Sequence, residues 1–335
     1  MEKALISILI PFKNTEAFLV ECLDSIVHQG YQNWEVWAVD DASTDASYRI
    51  VSQYAKNDLR FKVLKNPGKG IIEALRTAYE HCIGDLITRM DSDDIMAPNK
   101  LGTMVRLLLE NGKSHVAVGQ VKYFSHRGIS NGYARYEAWL NELTMHGSNY
   151  SEIYKECAIP SPCWMVYKED LQRCGAFEPN RYPEDYDLTF RFYENGLTCI
   201  PCNTVLHYWR DYDTRTSRTS EHYAANYFLD IKLHYFLKLD HDPQRPLVIW
   251  GAGSKGKTIA KKLLEKEIDF KWICDNPKKI NKDIYGKTLE HYRILDNLQT
   301  AQNIITVANE TEQEYISRFF ATRHKIPMKD YFFFC

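Results

Sequence analysis

The sequence predicts an α/β protein with two domains, each built around a mostly parallel sheet. Three observations support this fold class. Continuous apolar strands alternate with amphipathic helices of about 10–15 residues through the first third of the chain. The same alternation restarts near residue 243, after a polar stretch that contains two prolines. The length of 335 residues is comfortable for two domains.

Each element of the first domain follows from its apolar pattern. Residues 5–12 form a continuous apolar run, which predicts a buried strand. Residues 15–29 place apolar side chains at helical spacing, and residues 34–43 form a second strand that ends at two aspartates. The further elements are helices at 45–56 and 70–82 and strands at 61–66 and 84–90. Strands and helices that alternate in this way imply parallel pairing through right-handed crossovers.

The middle of the chain and the linker are less regular. Residues 120–218 are mixed in pattern and rich in aromatic side chains. Residues 221–239 have the spacing of a long amphipathic helix, whose aromatic stripe is either a core face or a membrane-docking face. We therefore predict a first domain at 1–218, a helical linker at 219–242 and a second domain at 243–335.

Composition excludes several classes of protein. Apolar residues make up 44% of the chain and charged residues 26%, which is typical of soluble globular proteins. The net charge of -2 provides no basic field for a nucleic acid, so we expect no such partner. No run approaches the roughly 20 apolar residues that a membrane span needs, and no signal peptide is recognisable. The nine cysteines follow no disulfide spacing, which favours a reduced, cytoplasmic setting.

Polar side chains recur where the predicted strands end. Asn14 follows the first strand, and Asp40 and Asp41 end the second. Residues 91–94 follow the fourth strand with three aspartates in four positions. In an open parallel sheet the carboxyl ends of the strands line one edge, where ligands bind. Topology alone therefore gathers these acids around one crevice.

The acidic stretch at residues 91–94 has two interpretations. Like charges this close repel each other, and a divalent cation relieves the repulsion by binding carboxylate oxygens and bridging them to phosphate. Alternatively, Asp93 or Asp94 caps the helix that is predicted to begin near residue 97. The two interpretations are compatible, since one aspartate can cap the helix while the others bind metal.

Five segments, in order, resemble the motifs of family-2 glycosyltransferases. They are SILIPFKN, VWAVDDASTD, NPGKGIIEAL, GDLITRMDSDDIMAPNKL and YPEDYDLTFRFYENG, and the resemblance covers residues 4–218. Members of that family are inverting enzymes of the GT-A fold that use nucleotide-activated sugars. The resemblance implies transfer from a nucleotide-sugar donor, with a UDP-sugar as the expected donor, to a glycan or lipid-linked acceptor. It also implies Mn²⁺ or Mg²⁺ as cofactor and a role in bacterial surface polysaccharide synthesis.

The resemblance further implies roles for individual residues. The donor contacts would be Pro11, Phe12 and Asn14 in the first loop, Asp40 and Asp41 at the base and ribose, Lys69 and Arg76 along the nucleotide and diphosphate, Asp91 with Ser92 at the ribose or sugar, and Arg210 over the diphosphate. Asp93, together with Asp91, would hold the cation against the diphosphate. Asp185 would be the general base, and Glu184 would lie beside it at the acceptor site.

These residue types suit the chemistry of inverting transfer. A carboxylate must take the proton of the acceptor hydroxyl on the face opposite the departing diphosphate. A cation and basic side chains neutralise the leaving group as charge builds on it. The alternative for Glu184 and Asp185 is an acidic helix start, which the helix dipole favours.

The sequence departs from the family pattern in places. Relatives often have asparagine where this chain has Arg76. After Arg210, relatives often supply a histidine that approaches metal or phosphate, and this chain has Tyr212 instead. His207 lies nearby within a predicted strand. The sequence therefore leaves a third protein ligand of the cation open.

The second domain carries a glycine motif with two interpretations. Residues 251–258 match the dinucleotide motif, through Gly251, Gly253 and Gly256, and also the phosphate-cradling P-loop. The next predicted strand ends at Asp275, about 20 residues beyond the glycines, as in dinucleotide-binding domains. We therefore predict a small Rossmann-like domain, and these four residues are the candidates for a second nucleotide site. Alternatively, the glycines only permit a tight turn and close helix packing.

Two other functions stay open on the sequence. An NAD(P)-linked sugar-nucleotide-modifying enzyme would need a catalytic constellation facing a nicotinamide, and the sequence shows none. A non-catalytic nucleotide-sugar-binding protein would not need Asp91, Asp93 and Asp185 together. Peripheral membrane contact and a homo-oligomer are further expectations. The terminal YFFFC either packs on a sheet edge or mediates the contact between subunits.

Overall fold

The computed structural model describes residues 4–215 and 228–335, which form two compact units. The first unit takes residues 4–149 and 158–215. The second takes residues 228–335 together with 150–157, a short segment from the middle of the chain. The second unit is therefore discontinuous in sequence, because its residues 150–157 interrupt the first unit.

The first unit is organised around a seven-stranded sheet. Its strands, in the order in which they lie side by side, are β3 (Phe61–Lys65), β2 (Trp34–Asp40), β1 (Ile6–Phe12), β4 (Leu86–Arg89), β8 (Trp164–Tyr167), β6 (His115–Val118) and β9 (Thr198–Ile200). Strand β8 runs antiparallel to both of its neighbours, and the other pairs are parallel. The predicted α/β class with a mostly parallel sheet is confirmed.

A smaller sheet and seven helices complete the described part of this unit. The sheet has the order β5 (Ile95–Met96), β10 (Val205–Arg210) and β7 (Gln120–Phe124). The helices are α1 (Glu16–Val27), α2 (Ser47–Asn57), α3 (Ile71–His81), α4 (Lys100–Asn111), α5 (Asn131–His146), α6 (Lys168–Arg173) and α7 (Glu184–Glu194). The first three helices and the first four strands occupy the segments that the apolar pattern predicts.

Burial explains why these segments form strands and helices. All seven residues of β1 are buried, as a strand of a parallel sheet requires when both of its faces are covered. Helix α1 buries Leu19, Cys22, Leu23 and Ile26, which follow the spacing of one helical face. The apolar periodicity therefore determines which side of each element faces the core.

The pairing register aligns the strand ends that carry the polar residues. Phe12 pairs with Asp40 between β1 and β2, and Leu9 pairs with Arg89 between β1 and β4. The Met90 N–H then donates to the Leu9 carbonyl at 3.0 Å. The loops after β1, β2 and β4 consequently leave the sheet at the same edge.

The second unit contains a six-stranded sheet. Its order is β13 (Asp283–Ile284), β14 (Lys287–His291), β12 (Lys271–Cys274), β11 (Leu247–Trp250), β15 (Gln302–Ile305) and β16 (Tyr331–Phe333). Only the β13–β14 pair is antiparallel within this sheet. Its described α-helices are α8 (Leu229–Tyr235), α9 (Ser254–Glu265) and α10 (Glu310–Ala321). The terminal YFFFC supplies edge strand β16, as one of its two interpretations predicts.

The predicted helical linker at 219–242 is part of the second unit over its described length. Helix α8 continues as a turn of π-helix over Phe236–Asp240. Tyr235 and Phe236 are buried, so these two rings of the aromatic stripe belong to a core face. The start of the predicted helix, residues 221–227, lies outside the described residues. No helix in the described parts of the chain is long and apolar enough to cross a membrane.

Aromatic packing holds the middle-chain segment within the second unit. The Tyr154 ring stacks on Phe334 with centroids 5.4 Å apart, and it meets Phe236 and Phe332 edge-on. The Tyr154 hydroxyl donates to Asp240 Oδ2 at 2.6 Å. The predicted boundaries at 218 and 243 therefore omit a segment that the second unit's core includes.

Candidate active site

Three strand ends at one edge of the first unit's sheet, with the loops that follow them, carry most of the predicted donor residues. The loops follow β1, β2 and β4. The Asp41 N–H donates to the Phe12 carbonyl at 2.9 Å, which joins the first loop to the second. Thr15 Oγ1 donates to Ser92 Oγ at 3.0 Å, which joins the first loop to the third. The fold thus brings these loops together, as the sheet topology predicts.

Asp41 organises the part of the edge that is predicted to meet the base and ribose. Its Oδ1 accepts hydrogen bonds from the Asn66 side-chain amide and the Gly70 N–H, both at 2.8 Å. Its Oδ2 lies 3.3 Å from the Lys13 ammonium. These contacts draw the loop after β3 to the end of β2. Lys69 of that loop is exposed to solvent and therefore accessible to a ligand.

The first and second loops also fix each other. Asn14 has a positive φ of 52°, and its Oδ1 accepts from a backbone N–H of the second loop at 2.8 Å. Asp40 Oδ1 accepts from the Ser43 N–H at 3.0 Å, which closes the turn after β2. Pro11 and Phe12 are buried at the end of β1. Their predicted contacts with the donor stay predictions.

Asp91 has a partner on each of its carboxylate oxygens. Arg89 Nε donates to Oδ1 at 2.8 Å, and the Ser161 hydroxyl donates to Oδ2 at 3.4 Å. Burial acts to raise the pKa of Asp91, but the guanidinium groups of Arg89 and Arg215 oppose it, and the pKa lies below its usual value. Asp91 is therefore ionised and oriented within the protein.

Neighbouring positive groups balance the negative charge of Asp93 less completely than that of Asp91. Its Oδ2 accepts from the Tyr212 hydroxyl at 2.8 Å, and its backbone carbonyl accepts from Arg210 Nε at 2.7 Å. Burial, and then the charge of Asp94, raise the pKa of Asp93 to about 7. A nearby positive ion would favour the ionised form and lower this pKa.

Asp94 is buried, and each of its carboxylate oxygens contacts another part of the protein. Its Oδ1 accepts from the Arg210 N–H at 2.8 Å, and its Oδ2 lies 3.0 Å from His207 Nε2. Lys100 Nζ lies 3.2 Å from the other ring nitrogen, His207 Nδ1. The capping interpretation is wrong, because Asn99 occupies the N-cap position of α4 and no side chain caps this helix.

The available donor atoms suit a divalent cation that takes part of its shell from substrate. Asp91 and Asp93 offer carboxylate oxygens, which Mg²⁺ and Mn²⁺ prefer. His207 offers no free nitrogen, since Asp94 and Lys100 engage its ring. Among residues 4–215 and 228–335, no three metal-ligating side chains converge. The residues fit an ion held by one or two carboxylates, with water and diphosphate oxygens as further ligands.

The first turn of α7 carries the two acids that are predicted to act on the acceptor. Glu184 Oε1 accepts from Arg89 NH1 at 2.9 Å. Asp185 Oδ1 accepts from the Tyr186 N–H at 2.8 Å, as an acid at a helix start can. Burial, and then the charge of Glu184, raise the pKa of Asp185 to about 7. A carboxyl group with this pKa is suited to accept a proton near neutral pH.

A family model matches the part of the chain that carries these loops. The model described as Glycosyl transferase family 2 matches residues 7–175, which include β2, β4, the acidic loop and all but the first residue of β1. This chain belongs to glycosyltransferase family 2. The predicted family and the predicted enzyme class, a glycosyltransferase, are confirmed.

Proteins of similar sequence are also named as glycosyltransferases. Glycosyltransferase GlyG of Streptococcus pneumoniae serotype 4 is 29% identical over 212 residues, which are 62% of this chain and 70% of that protein. WfgD of Escherichia coli, a UDP-Glc:alpha-D-GlcNAc-diphosphoundecaprenol beta-1,3-glucosyltransferase, is 28% identical over 219 residues, 63% of this chain and 78% of that protein. Glycosyltransferase GlyA of S. pneumoniae serotype 4 is 27% identical over 211 residues, and the match spans 30% of its length.

Solved structures confirm the fold of the enzyme. TarS of S. aureus, in complex with UDP-GlcNAc, matches with a TM-score of 0.54 and 20% identity over 72% of this chain and 68% of that one. Mannosyltransferase PcManGT from Pyrobaculum calidifontis, in complex with GDP-Man and Mn²⁺, matches with a TM-score of 0.52 and 20% identity over 70% and 63%. The predicted GT-A fold is thus confirmed, and at this identity the likeness shows the fold alone.

In this glycosyltransferase, Arg76 contacts the loop that precedes α7. Arg76 Nε donates to the Phe177 carbonyl at 3.2 Å, and NH2 donates to the Glu178 carbonyl at 2.8 Å and to Asn180 Oδ1 at 3.0 Å. Its NH1 group pairs with Glu73. These contacts support a role in holding the loop, and the predicted donor contact of Arg76 stays a prediction.

Arg210 of the enzyme is confined between two aromatic rings. Its guanidinium carbon lies 4.7 Å from the Phe18 ring centroid and 4.6 Å from that of Phe124. Its NH2 group also pairs with Glu21. This confinement keeps Arg210 beside the backbone of the acidic loop, and its predicted position over the diphosphate stays a prediction.

Two arginines of the site were not predicted from the sequence. Arg215 is buried, its guanidinium carbon lies 5.1 Å from the Trp209 ring centroid, and its charge acts on Asp93 and Asp94. Arg89 links Asp91 to the first turn of α7. A charged residue within an apolar strand was the available signal for Arg89. For Arg215 the sequence offers only its place in a basic and aromatic stretch.

Backbone conformation and close packing explain two glycines of the motif in the second unit. Gly251 has a φ of 125°, and a Cβ there would lie 2.5 Å from Thr306 Oγ1. A Cβ at Gly256 would lie 2.1 Å from the Gly251 carbonyl oxygen. Gly253 meets no such atom within 4 Å, and Asp275 is exposed directly after β12. The tight turn and close packing account for Gly251 and Gly256, and nucleotide binding here stays a prediction.

Proposed function

We propose that this family-2 enzyme is a metal-dependent, inverting transferase. It moves a sugar from a nucleotide-sugar donor to a hydroxyl group of a glycan or lipid-linked acceptor. One observation carries the proposal: Arg89 hydrogen-bonds Asp91 at the donor edge and Glu184 beside Asp185. The acids proposed for the donor and those proposed for the acceptor therefore belong to one network.

Asp185 is the proposed general base of the reaction. It takes the proton of the acceptor hydroxyl as the hydroxyl oxygen forms a bond to the anomeric carbon of the donor sugar. The bond between that carbon and the diphosphate oxygen breaks on the opposite face, so the anomeric configuration inverts. The pKa of about 7 supports this role, because an ordinary aspartate is a weaker base.

The leaving nucleoside diphosphate needs positive charge at the acidic loop. Asp91 and Asp93 would hold a divalent cation, which neutralises charge on the diphosphate when it is bound. Arg215 adds a buried guanidinium whose charge already acts on these acids. Such charge is most effective where water is excluded. The proposed donor contacts at Asn14, Asp40, Asp41, Lys69 and Ser92 belong to the adjoining loops.

The names of similar proteins support a narrower proposal for donor and acceptor. TarS was solved with UDP-GlcNAc, and WfgD is named for transfer from UDP-Glc to a sugar on diphosphoundecaprenol. We therefore propose a UDP-sugar as donor and a lipid-linked glycan of bacterial surface polysaccharide synthesis as acceptor. PcManGT with GDP-Man makes a guanine nucleotide the alternative donor.

Peripheral membrane contact would suit a lipid-linked acceptor. The second unit exposes Lys257, Lys261, Lys278 and Lys282, and the Lys261 ammonium lies 5.0 Å from the ring centroid of the exposed Tyr285. Each lysine near an anionic bilayer contributes about 1 kcal/mol of attraction. These residues support the prediction of membrane contact. Self-association and a cytoplasmic setting also stay predictions.

Two substitutions test the proposed function in the full-length chain. Asp185→Asn should bind a UDP-sugar with an affinity within about threefold of wild type but lose transfer by about 100- to 10,000-fold. Asp93→Asn should lose Mn²⁺-dependent donor binding. Calorimetry measures binding, and release of the nucleoside diphosphate in the presence of acceptor measures transfer. Asp58→Asn is the control, because Asp58 pairs with Arg60 at the end of α2.

The outcomes separate the candidate functions. Normal turnover by Asp185→Asn would contradict the assignment of Asp185 as the base. Mn²⁺-dependent donor binding by Asp93→Asn would contradict the assignment of Asp93 as a ligand of the cation. A wild-type protein that binds the donor without transfer to any lipid-linked or soluble glycan would instead be a non-catalytic sugar-nucleotide-binding protein.

A further inference from the structure

Arg89 joins two segments of the site that are distant in the chain. Its Nε donates to Asp91 Oδ1 at 2.8 Å, and its NH1 donates to Glu184 Oε1 at 2.9 Å, across 95 positions of sequence. The side chain of Arg89 is 6% exposed and that of Glu184 is 7% exposed. One guanidinium group therefore connects the acidic loop after β4 with the first turn of α7.

The fold alone does not require this buried charge network. The other residues of β4, including the apolar Leu86 and Ile87, are buried without a charge. Desolvation offsets much of the attraction within a buried ion network, and apolar residues of similar volume often give an equally stable core. A planar guanidinium does, however, hold two carboxylates in a defined relative position through directional bonds. A network of this kind contributes defined geometry more dependably than net stability.

Glu184 uses only one of its oxygens within the described protein. Oε1 bonds to Arg89, whereas Oε2 is buried and has no hydrogen-bond partner. Because Glu184 immediately precedes Asp185, the bond to Arg89 fixes the helical turn from which Asp185 projects. The position of Asp185 therefore depends on a residue that comes from the donor side of the site.

We propose that Arg89 is a positioning residue that sets the separation between the donor sugar, held through Asp91, and the base Asp185, held through Glu184. This inference rests on the function proposed above. Arg89 acts through its two carboxylate partners and transfers no proton itself. A displacement of about 1 Å between reacting groups can cost roughly 100-fold in rate, so the loss of this link should reduce turnover more than donor affinity.

Two substitutions at Arg89 separate charge from geometry. Arg89→Met removes both hydrogen bonds, and Arg89→Lys retains the charge but lacks the planar fork. We expect kcat to fall about 100-fold in the methionine variant and about 10-fold in the lysine variant. The dissociation constant of the UDP-sugar with Mn²⁺, measured by calorimetry, should rise by less than about fivefold in both.

Arg191→Met is a matched control for the loss of a buried arginine. Arg191 lies in α7, and its Nε donates to Asp187 Oδ2 at 2.8 Å. Arg181 keeps a second contact with Asp187 at 3.1 Å, so the control leaves no acid unpaired. This substitution should lower the melting temperature while kcat stays within about threefold of wild type. An equal loss of kcat in Arg191→Met and Arg89→Met would overturn the proposal.

A double-mutant cycle with Glu184→Ala tests whether Arg89 acts through Glu184. If it does, Arg89→Met will reduce kcat far less in the Glu184→Ala background than in wild type. Additive losses would overturn the proposal, and Arg89→Lys supplies the same cycle if Arg89→Met does not fold.

Asp185→Asn in the same assay separates a failure of the proposed function from a failure of the proposed role of Arg89. Normal turnover there would overturn the proposed function, whereas an inactive Asp185→Asn with additive Arg89 losses would overturn only the role of Arg89.

Discussion

At the scale of single residues, Asp93 and Asp185, like Asp94, differ from most acids of the chain in having a pKa raised to about 7. For both Asp93 and Asp185, burial is the main cause. In each case the adjacent residue in the chain is a second acid, Asp94 or Glu184, whose charge adds to the shift. Adjacent acids are visible in the sequence, but their burial is not. The sequence therefore locates these pairs without revealing how they titrate.

The pKa of Asp185 leads to a prediction about pH. Asp185 must be ionised to accept a proton, so kcat/KM should increase as the pH rises through about 7. Glu184→Gln removes the adjacent negative charge that helps to raise this pKa, and the inflection should move to lower pH. The measurement is kcat/KM for transfer from about pH 5 to pH 9. Glu194→Gln, at the other end of α7, is the control, and an unchanged inflection in Glu184→Gln would contradict the assignment of Asp185.

At the scale of elements, Arg76 connects helix α3 to the loop before α7. Its guanidinium bonds the carbonyls of Phe177 and Glu178 and the side chain of Asn180. The family resemblance predicts a donor contact for the same residue. The two roles can be distinguished, because a loop contact affects the placement of α7 and a donor contact affects binding of the nucleotide sugar.

We expect Arg76→Met to weaken the loop without weakening donor binding. Loss of these charge-assisted bonds should lower the free energy of unfolding by about 1–3 kcal/mol. It should also lower kcat while the donor dissociation constant stays near that of wild type. Chemical denaturation and calorimetry measure the two effects. Arg106→Met is the surface control, because Arg106 pairs with Glu110 on the exposed side of α4. A large rise in the dissociation constant would instead support the donor contact.

At the scale of the whole molecule, the two units do not follow one another simply along the chain. The second unit includes residues 150–157, and Tyr154 of this segment packs on Phe236, Phe332 and Phe334. A chain that ends at residue 242 would keep Tyr154 and Phe236 but lose both terminal phenylalanines. The aromatic surfaces that these rings now bury would then be exposed to water.

This arrangement predicts a mixed outcome for deletion of residues 243–335. The first unit should still bind the donor in the presence of Mn²⁺, because its strands, acidic loop and α7 are retained. The truncated chain should also aggregate and bind a hydrophobic dye, and Tyr154→Ser together with Phe236→Ser should reduce both effects. Calorimetry and dye fluorescence measure these properties. Loss of donor binding in the substituted truncated chain would contradict independent folding of the first unit.

The fold and the composition of the site could be predicted from local patterns. Apolar periodicity determined the strands and helices of the first unit, because burial repeats with the period of each element. Strand direction determined that Asn14, Asp41 and Asp91 leave the same edge of a sheet. The order of motifs determined the family, which the family model confirms.

The long-range partners of the charged side chains at the site were decided only by tertiary structure. Asp94 meets His207, Arg76 meets Phe177 and Arg89 meets Glu184, across 113, 101 and 95 positions of sequence. Periodicity specifies which side of an element is buried. It does not specify which acid meets which base, because chemically similar side chains on that side give the same pattern. Which of them meet depends on the crossing of elements that are remote in the chain, and this geometry exists only after the sheet, the loops and α7 have packed.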